Sequence, residues 1–520
     1  MSLRLPDILV PRPSQRLLDD RRYRLAVLVA GVLIILIWQT SMQVFSPLLD
    51  QTHRLRASSG VQAQRKFLYF LRNLDLYPVA TLRPDELLQP GREAAVEEAR
   101  EYGEQLVTEY AWTNRYGEPG KVQLLRFDAW LKGDPHNRNV SYRTANRLYF
   151  TLALVMVFVS FTWRGYLLLG GLLVLFMGSN PFQLFEVYVH DNVFSYAIST
   201  AMIALALHFP LLLEKPPAGW YLASVPVITG ALLATIRLVR TEPVVMLASA
   251  AAAYLFLARS SWKVKVALVT LLLGSFLAFS WGWKSYFAYK LAEAESFVRT
   301  HGGEPYEGPR DQHHVIWHPV WCGLGDFGTD KGYHWDDRVA ARYVLPILRE
   351  RYGMQVPTDT GESYVLPGYF FDRRGVYPTL PLDLPHFREV EREKVLHDVA
   401  ADPAWYLGIL AQRAGRLLSR TSPVRVTAAG FHLTLPLTGW LLLPIAGLLA
   451  WHRCWMPLKL ILFLVPTSLT ALLIFCDKGT WYYSTYHLAI AALLGTWLAA
   501  LVRRRGRPED STGEVAREPV

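Results

Sequence analysis

Acidic side chains stand where apolar runs of the sequence end. Asp50 closes Phe45-Ser46-Pro47-Leu48-Leu49-Asp50, and Glu186 with His190-Asp191-Asn192 precedes another apolar run. A carboxylate at a membrane mouth can take a proton from a hydroxyl or ligate a divalent ion. The plainer reading makes Asp191 or Asn192 a helix N-cap and Asp50 a solvated residue past a helix end. Arg237, Arg240 and Glu242 share the short turn ending at Pro243. Arginine grips phosphate through several donors. The alternative is an internal pair, Arg240 with Glu242 or Arg237 with Asp191.

Arg413, Arg416 and Arg420 recur at helical spacing behind Asp402-Pro403-Ala404-Trp405-Tyr406, with Leu407, Leu410, Ala414 and Leu417 on an apolar face. This pattern predicts an interfacial helix that touches lipid phosphates. Tyr486 and His487 follow the aromatic stretch Trp481-Tyr482-Tyr483 and suit either a cavity wall or an aromatic belt.

The segment from His313 to Asp337 is the most unusual. It holds His313, His314, Trp317, His318, Trp321, Cys322, Asp326, Trp335 and Asp337. His314 and His318 have a spacing that can ligate zinc from one helix face, but the Glu of a metalloprotease motif is missing. Pro319 and the glycines favour a loop. A sugar or headgroup site fits better: Trp321 stacks on a ring, while His318 and Asp326 bond hydroxyls. The alternative is a packed aromatic loop. Cys322 and Cys476 are both expected at the outer face, where a disulfide between them is an open alternative that their spacing does not demand.

These residues need elements to hold them. Of 520 residues, 52% are hydrophobic and only 19% charged. That is too apolar for one soluble globule, where about 25% are charged, and too rich in aromatics for a disordered chain. The three cysteines exclude a disulfide scaffold and a cysteine zinc module. A crossing helix needs about 20 apolar residues. Such runs are 24–46, 148–163, 166–177, 193–213, 220–236, 244–258, 264–283, 431–451, 458–475 and 483–502. The prediction is an all-α polytopic membrane protein with about ten transmembrane helices.

Basic residues set the orientation. Arg12, Arg16, Arg21, Arg22 and Arg24 precede the first run, and Arg503-Arg504-Arg505 follow the last, so both termini are expected inside. The layout is a cytoplasmic N-terminus (1–23), a first span (24–46) and an outer loop with amphipathic helices (47–146). A bundle of helices 2–7 (147–283), an outer region with the interfacial helix (284–428), helices 8–10 (429–502) and a cytoplasmic tail (503–520) complete it. No phosphate-binding glycine loop or nucleophile elbow is present, so a nucleotide-driven machine is not expected.

In this layout the chain resembles the GT-C superfamily of membrane glycosyltransferases, and its mannosyltransferase-like members in particular. The resemblance rests on Asp50 after the first span and His190-Asp191-Asn192 before the fourth. It also rests on Gly230 to Arg237 with Glu242-Pro243, and on Asp402-Pro403 to Tyr406 followed by Arg413. Asp50 stands alone where many members carry adjacent acids. The resemblance implies an inverting transfer from a polyprenyl-phosphate-linked sugar to a glycan, lipid or protein acceptor of the cell envelope. It places the chain in the lipid bilayer, with a bacterial inner membrane and a periplasmic or exterior site as the expected setting. Asp50 and Asp191 would be the bases, and Arg237, Arg240, Arg413 and Arg416 would hold the donor phosphate. Read from their own chemistry, Glu186, His190, His318, Trp321, Asp326, Tyr486 and His487 are the expected substrate contacts; the region from His313 to Asp337 matches no motif of the family. No cofactor is required, a divalent metal is compatible with the carboxylates, and no nucleic-acid partner is expected. The rival classes are a flippase for a lipid-linked glycan and a non-catalytic scaffold of envelope assembly.

Overall fold

The computed structural model describes residues 14–52, 119–133, 141–189, 193–213, 219–258, 260–300, 316–328, 331–358, 366–372, 375–379, 381–419, 424–428, 431–435, 439–451, 453, 455–464, 466 and 469–474. The expected amphipathic stretch 92–110 and the last span lie outside them, as do His190, Asp191, Tyr486 and His487.

Among the described residues, five helices are long and apolar enough to cross a membrane. They belong to α1 (Arg21–Thr52), then α3 (Arg143–Trp163), which follows the shorter α2 (Pro119–Leu131), and after α4 (Leu167–Gly178) to α5 (Ser195–Leu212), α6 (Gly219–Ile236) and, past α7 (Met246–Ala252), α8 (Trp262–Thr300). On α1 the side chains of Val29, Leu33, Ile34 and Ile37 are exposed, while Leu28 and Ile35 join the core. An exposed apolar stripe of this size needs a non-aqueous solvent.

Two parallel helix pairs organise the bundle. Between α3 and α5, Tyr149 stacks on Tyr196 at 4.6 Å and Phe161 on Phe209 at 3.7 Å. Between α6 and α8, a Cβ added at Gly230 would lie 2.5 Å from the Leu272 carbonyl oxygen. Only glycine permits that approach, as at other close membrane-helix crossings. Trp283 Nε1 donates to Thr235 Oγ1 at 3.0 Å one turn further along.

The two ends of the bundle differ. At one end Arg24 lies over the Trp163 ring, Lys459 donates to the Leu212 carbonyl at 3.2 Å, and Lys265 to that of Leu255 at 2.8 Å. Cations there satisfy the exposed carbonyls of helix C-termini. At the other end α2 is tied down. Gly120 N–H donates to the Leu238 carbonyl at 3.0 Å. The wholly buried Asp128 accepts from Ala145 N–H, in the first turn of α3, at 2.8 Å and also pairs with Lys132.

Several boundaries differ from the expectation. α1 continues through Pro47 to Thr52, so Asp50 is a helical residue and the outer loop begins later. Proline inside a helix forfeits a backbone bond and crowds the preceding turn, yet the helix runs on past Pro47 through the leucines that follow. α8 has 39 residues and passes the expected end of the bundle at 283; a helix of that length spans roughly 58 Å, about twice the hydrocarbon thickness. The run 244–258 is one continuous helical stretch whose turns change type, from a 3₁₀ turn (Glu242–Val245) through α7 to a π turn (Ala253–Leu257).

A second unit follows, built from α9 (Trp317–Leu324), α10 (Asp337–Tyr352), α11 (Phe387–Ala401) and α12 (Pro403–Ser419), and the chain between α10 and α11 forms the antiparallel hairpin β1 (Leu366–Asp372) and β2 (Gly375–Thr379). Asp336 caps α10 by accepting from Arg338 N–H, and Gly353 ends it at φ 64°. Trp321, Tyr333, Leu345, Leu348, Phe387 and Val390 form its core.

A second hairpin, β3 (Val424–Ala428) and β4 (Phe431–Leu435), occupies the expected start of the eighth span. The described residues are mainly helical, as expected, with these two short hairpins besides. Val424 faces Leu435, Val426 faces Leu433 and Ala428 faces Phe431, with Arg425 opposite Thr434. Apolar and polar pairs therefore alternate with the strand period of two. The apolar helices after it are short: α13 (Leu442–Trp451), α14 (Trp455–Leu464) and α15 (Leu469–Leu473).

Candidate functional site

The second unit meets the bundle through α12, and most of the described candidate residues gather at this junction. The expectation for α12 was a basic stripe on lipid phosphates. In the structure Arg413 and Leu417 are on its buried face. Arg413 Nε donates to Asp326 Oδ2 at 3.0 Å, with both side chains wholly buried, and Arg413 Nη1 donates to the Leu472 carbonyl at 3.1 Å. Trp335 Nε1 donates to the other oxygen of Asp326 at 2.5 Å. Arg416 donates to the Asp326 backbone carbonyl at 3.1 Å, and its guanidinium lies 4.0 Å from the Phe327 ring centre.

Phe327 and Phe194 pack on one small cluster of Ala197, Leu417 and Ala471. Arg240 lies over the Phe194 ring, 4.4 Å from its centre, and is bound through two nitrogens to Glu242. The internal pairing weighed for Arg240 is thus formed. Arg237, on the same turn, is exposed, and no ion pair holds it among the described residues. Lys121 of α2 is half-buried. Lost hydration and the neighbouring Arg240 guanidinium lower its amine to about 7, against a smaller upward pull from Glu242. Glu186 is half-buried in the π turn Phe185–Val189. Asp50 is placed in α1.

Trp321 and His318 lie deeper in the second unit. Trp321 is wholly buried, with its ring centre 4.7 Å from that of Tyr333. The segment Trp317–Leu324 is a helix and not the expected loop. Pro319 falls in its first turn, where a missing N–H costs nothing. Helical spacing then puts His318 and Cys322 on one face. His318 Nδ1 is 2.6 Å from Glu391 Oε1, and its Nε2 is 3.2 Å from Asp337 Oδ1 and 3.6 Å from Cys322 Sγ. Burial opposes the imidazolium, but the hydrogen bonds to Asp337, Cys322 and Glu391 outweigh it and push His318 up to about 12. Burial also pushes the free thiol of Cys322 up. One ligand atom each from His318, Cys322 and Asp337 falls within 4.8 Å of the others.

No protein-family model, curated protein or solved structure matches the chain. The geometry therefore stands on its own.

Lys121, Asp128 and Glu391 were not singled out from the sequence. Glu391 left a usable signal. It lies on the α11 face that also carries Phe387, Val390 and Val395, and an acid in such a stripe must find a buried partner. Lys121 left none, because its neighbours come from the distant turn at Arg240.

Proposed function

We propose that the chain is a GT-C-like membrane glycosyltransferase that moves a sugar from a polyprenyl-phosphate donor to an envelope glycan, lipid or protein acceptor. The observation that carries the reading is the junction between bundle and second unit. Arg240 and Arg416 lie on the rings of Phe194 and Phe327, which share one apolar cluster, and Arg237 stands exposed on the adjoining turn. A guanidinium stacked on an aromatic face still presents its N–H edge. Such a mouth, set at the end of an apolar bundle, suits a phosphate whose tail remains in lipid.

In the proposed reaction a carboxylate, Asp50 or Asp191, takes the proton of the acceptor hydroxyl. The oxygen attacks the anomeric carbon, the bond to the donor phosphate breaks with inversion, and the arginines neutralise the phosphate as it leaves. Arg413 is committed to Asp326. Its part is to hold the junction, and direct contact falls to the exposed Arg237, with the charges of Arg240 and Arg416 beside it. The donor brings its own leaving group, so a nucleotide site is unnecessary.

Binding of a short-chain prenyl phosphate to purified protein tests the site. Arg237→Ala should weaken binding with yield unchanged. Undiminished binding with full yield would move the phosphate away from this turn.

The π turn Ala253–Leu257 favours a second reading, a flippase for a lipid-linked glycan, since π turns within helices often mark functional sites. Movement of a labelled lipid across vesicles without sugar transfer would select it.

A further inference from the structure

We infer that His318, Cys322 and Asp337 form a binding site for a divalent ion of the zinc class, with Glu391 as the group that orients His318. This does not depend on the glycosyltransferase reading.

The distances carry it. His318 Nε2, Cys322 Sγ and Asp337 Oδ1 form a triangle with edges of 3.2, 3.6 and 3.9 Å. A tetrahedral ion at the usual zinc bond lengths to N, S and O separates such atoms by about 3.3 to 3.6 Å. The ligand atoms therefore stand close to bonding positions without rearrangement of the backbone.

The surroundings match. The opposite ring nitrogen, Nδ1, is 2.6 Å from Glu391 Oε1, the carboxylate–histidine arrangement that fixes the tautomer of a metal ligand. Glu391 is wholly buried, and among the described residues its Oε2 has no hydrogen-bond partner. Three helices supply the four groups: α9 gives His318 and Cys322, α10 gives Asp337 and α11 gives Glu391. An ion would clasp α9 to α10 directly and α11 through the histidine. Asp337 is about half exposed at 48%, which gives the ion a path and leaves a fourth position for water. A thiolate with an imidazole selects zinc-like ions over magnesium or calcium.

Binding displaces protons. In the metal-free protein the imidazolium gives Nδ1–H to Glu391 and Nε2–H to Asp337. The ion replaces the Nε2 proton and the Cys322 thiol proton and leaves Nδ1–H on Glu391. Two protons leave per ion, so affinity rises with pH. The competing arrangement is the imidazolium held permanently between its carboxylates.

Full-length protein, stripped with chelator and titrated with Co²⁺, tests the site. The expected result is a near-ultraviolet thiolate-to-cobalt band that saturates at one ion per chain and is displaced by Zn²⁺. The band should be absent in Cys322→Ser, which retains Cys454 and Cys476 and so assigns the band to Cys322. Asp337→Asn changes a half-exposed ligand and leaves the core intact, and its Co²⁺ affinity should fall at least about tenfold. No band in the parent protein, or a band untouched by Cys322→Ser, overturns the inference. So does an affinity unchanged in a folded Asp337→Asn protein.

Discussion

Arg413 Nε stands 3.0 Å from Asp326 Oδ2, both side chains wholly buried although 87 positions separate them. The pair joins α12 to the turn after α9. Arg413 also reaches the Leu472 carbonyl of the bundle, so one guanidinium links the two parts of the molecule.

Breaking this pair on one side leaves a charge buried alone. Arg413→Met or Asp326→Leu alone should each lower stability by about 3–5 kcal/mol. The double variant should recover much of the loss, because two apolar side chains leave no orphan charge. Thermal unfolding of the four proteins in one detergent measures the cycle. Additive losses would show that the two residues do not act as a pair.

Gly230 sets the distance between α6 and α8. Gly230→Ala should cost about 1–3 kcal/mol, since its Cβ would meet backbone that cannot step aside. Gly274→Ala, on α8 with nothing near the added carbon among the described residues, should be close to neutral. Equal yields and melting points for the two variants would contradict the packing described.

The long spans were legible because periodicity and length report them directly. Gly219–Ile236 and Ser195–Leu212 begin and end within a few residues of the apolar runs that announced them. The hairpin Val424–Leu435 was not legible, because Phe431, Leu433 and Leu435 merge by composition into the apolar run behind them. Pro319 reads as a helix breaker in the sequence, although the first turn tolerates it. The spacing of Arg413 and Arg416 announced one helical face. It could not say that the face meets Asp326 and Phe327 and not lipid. His318 was noticed, but its carboxylate partner Glu391 lies 73 positions away and only the fold joins them.

The His318 network makes a pH prediction. Its folded pKa is pushed from 6.5 up to about 12. A raised folded pKa adds stability that is complete below the unfolded value and fades as pH rises toward the folded one. Metal-free protein should therefore lose hydrogen-exchange protection in α9 and α11 between about pH 7 and about pH 10, after correction for intrinsic rates. His318→Gln should flatten that dependence. With Zn²⁺ bound the trend should reverse, because the ion binds better as protons leave.

Lys121 gives the opposite sign. Its amine is lowered from 10.5 to about 7, so the folded state disfavours its charge. The stability it withholds is fully missing below pH 7 and returns as pH rises toward the unfolded value. Lys121→Met should raise the melting temperature at about pH 6 and have no effect near pH 11. An equal gain at both values would mean that packing, and not the charge, is responsible.

Sugar transfer is the central claim. Its most direct measurement is release of free prenyl phosphate by the purified chain in lipid nanodiscs, given short-chain prenyl-phosphate sugars and an envelope glycan extract. The account predicts release that requires the acceptor extract and falls on the order of 10²-fold in Asp50→Asn or Asp191→Asn, whichever is the base. Release at the parent rate in both variants, or no release from any prenyl-phosphate sugar by folded protein, would contradict it.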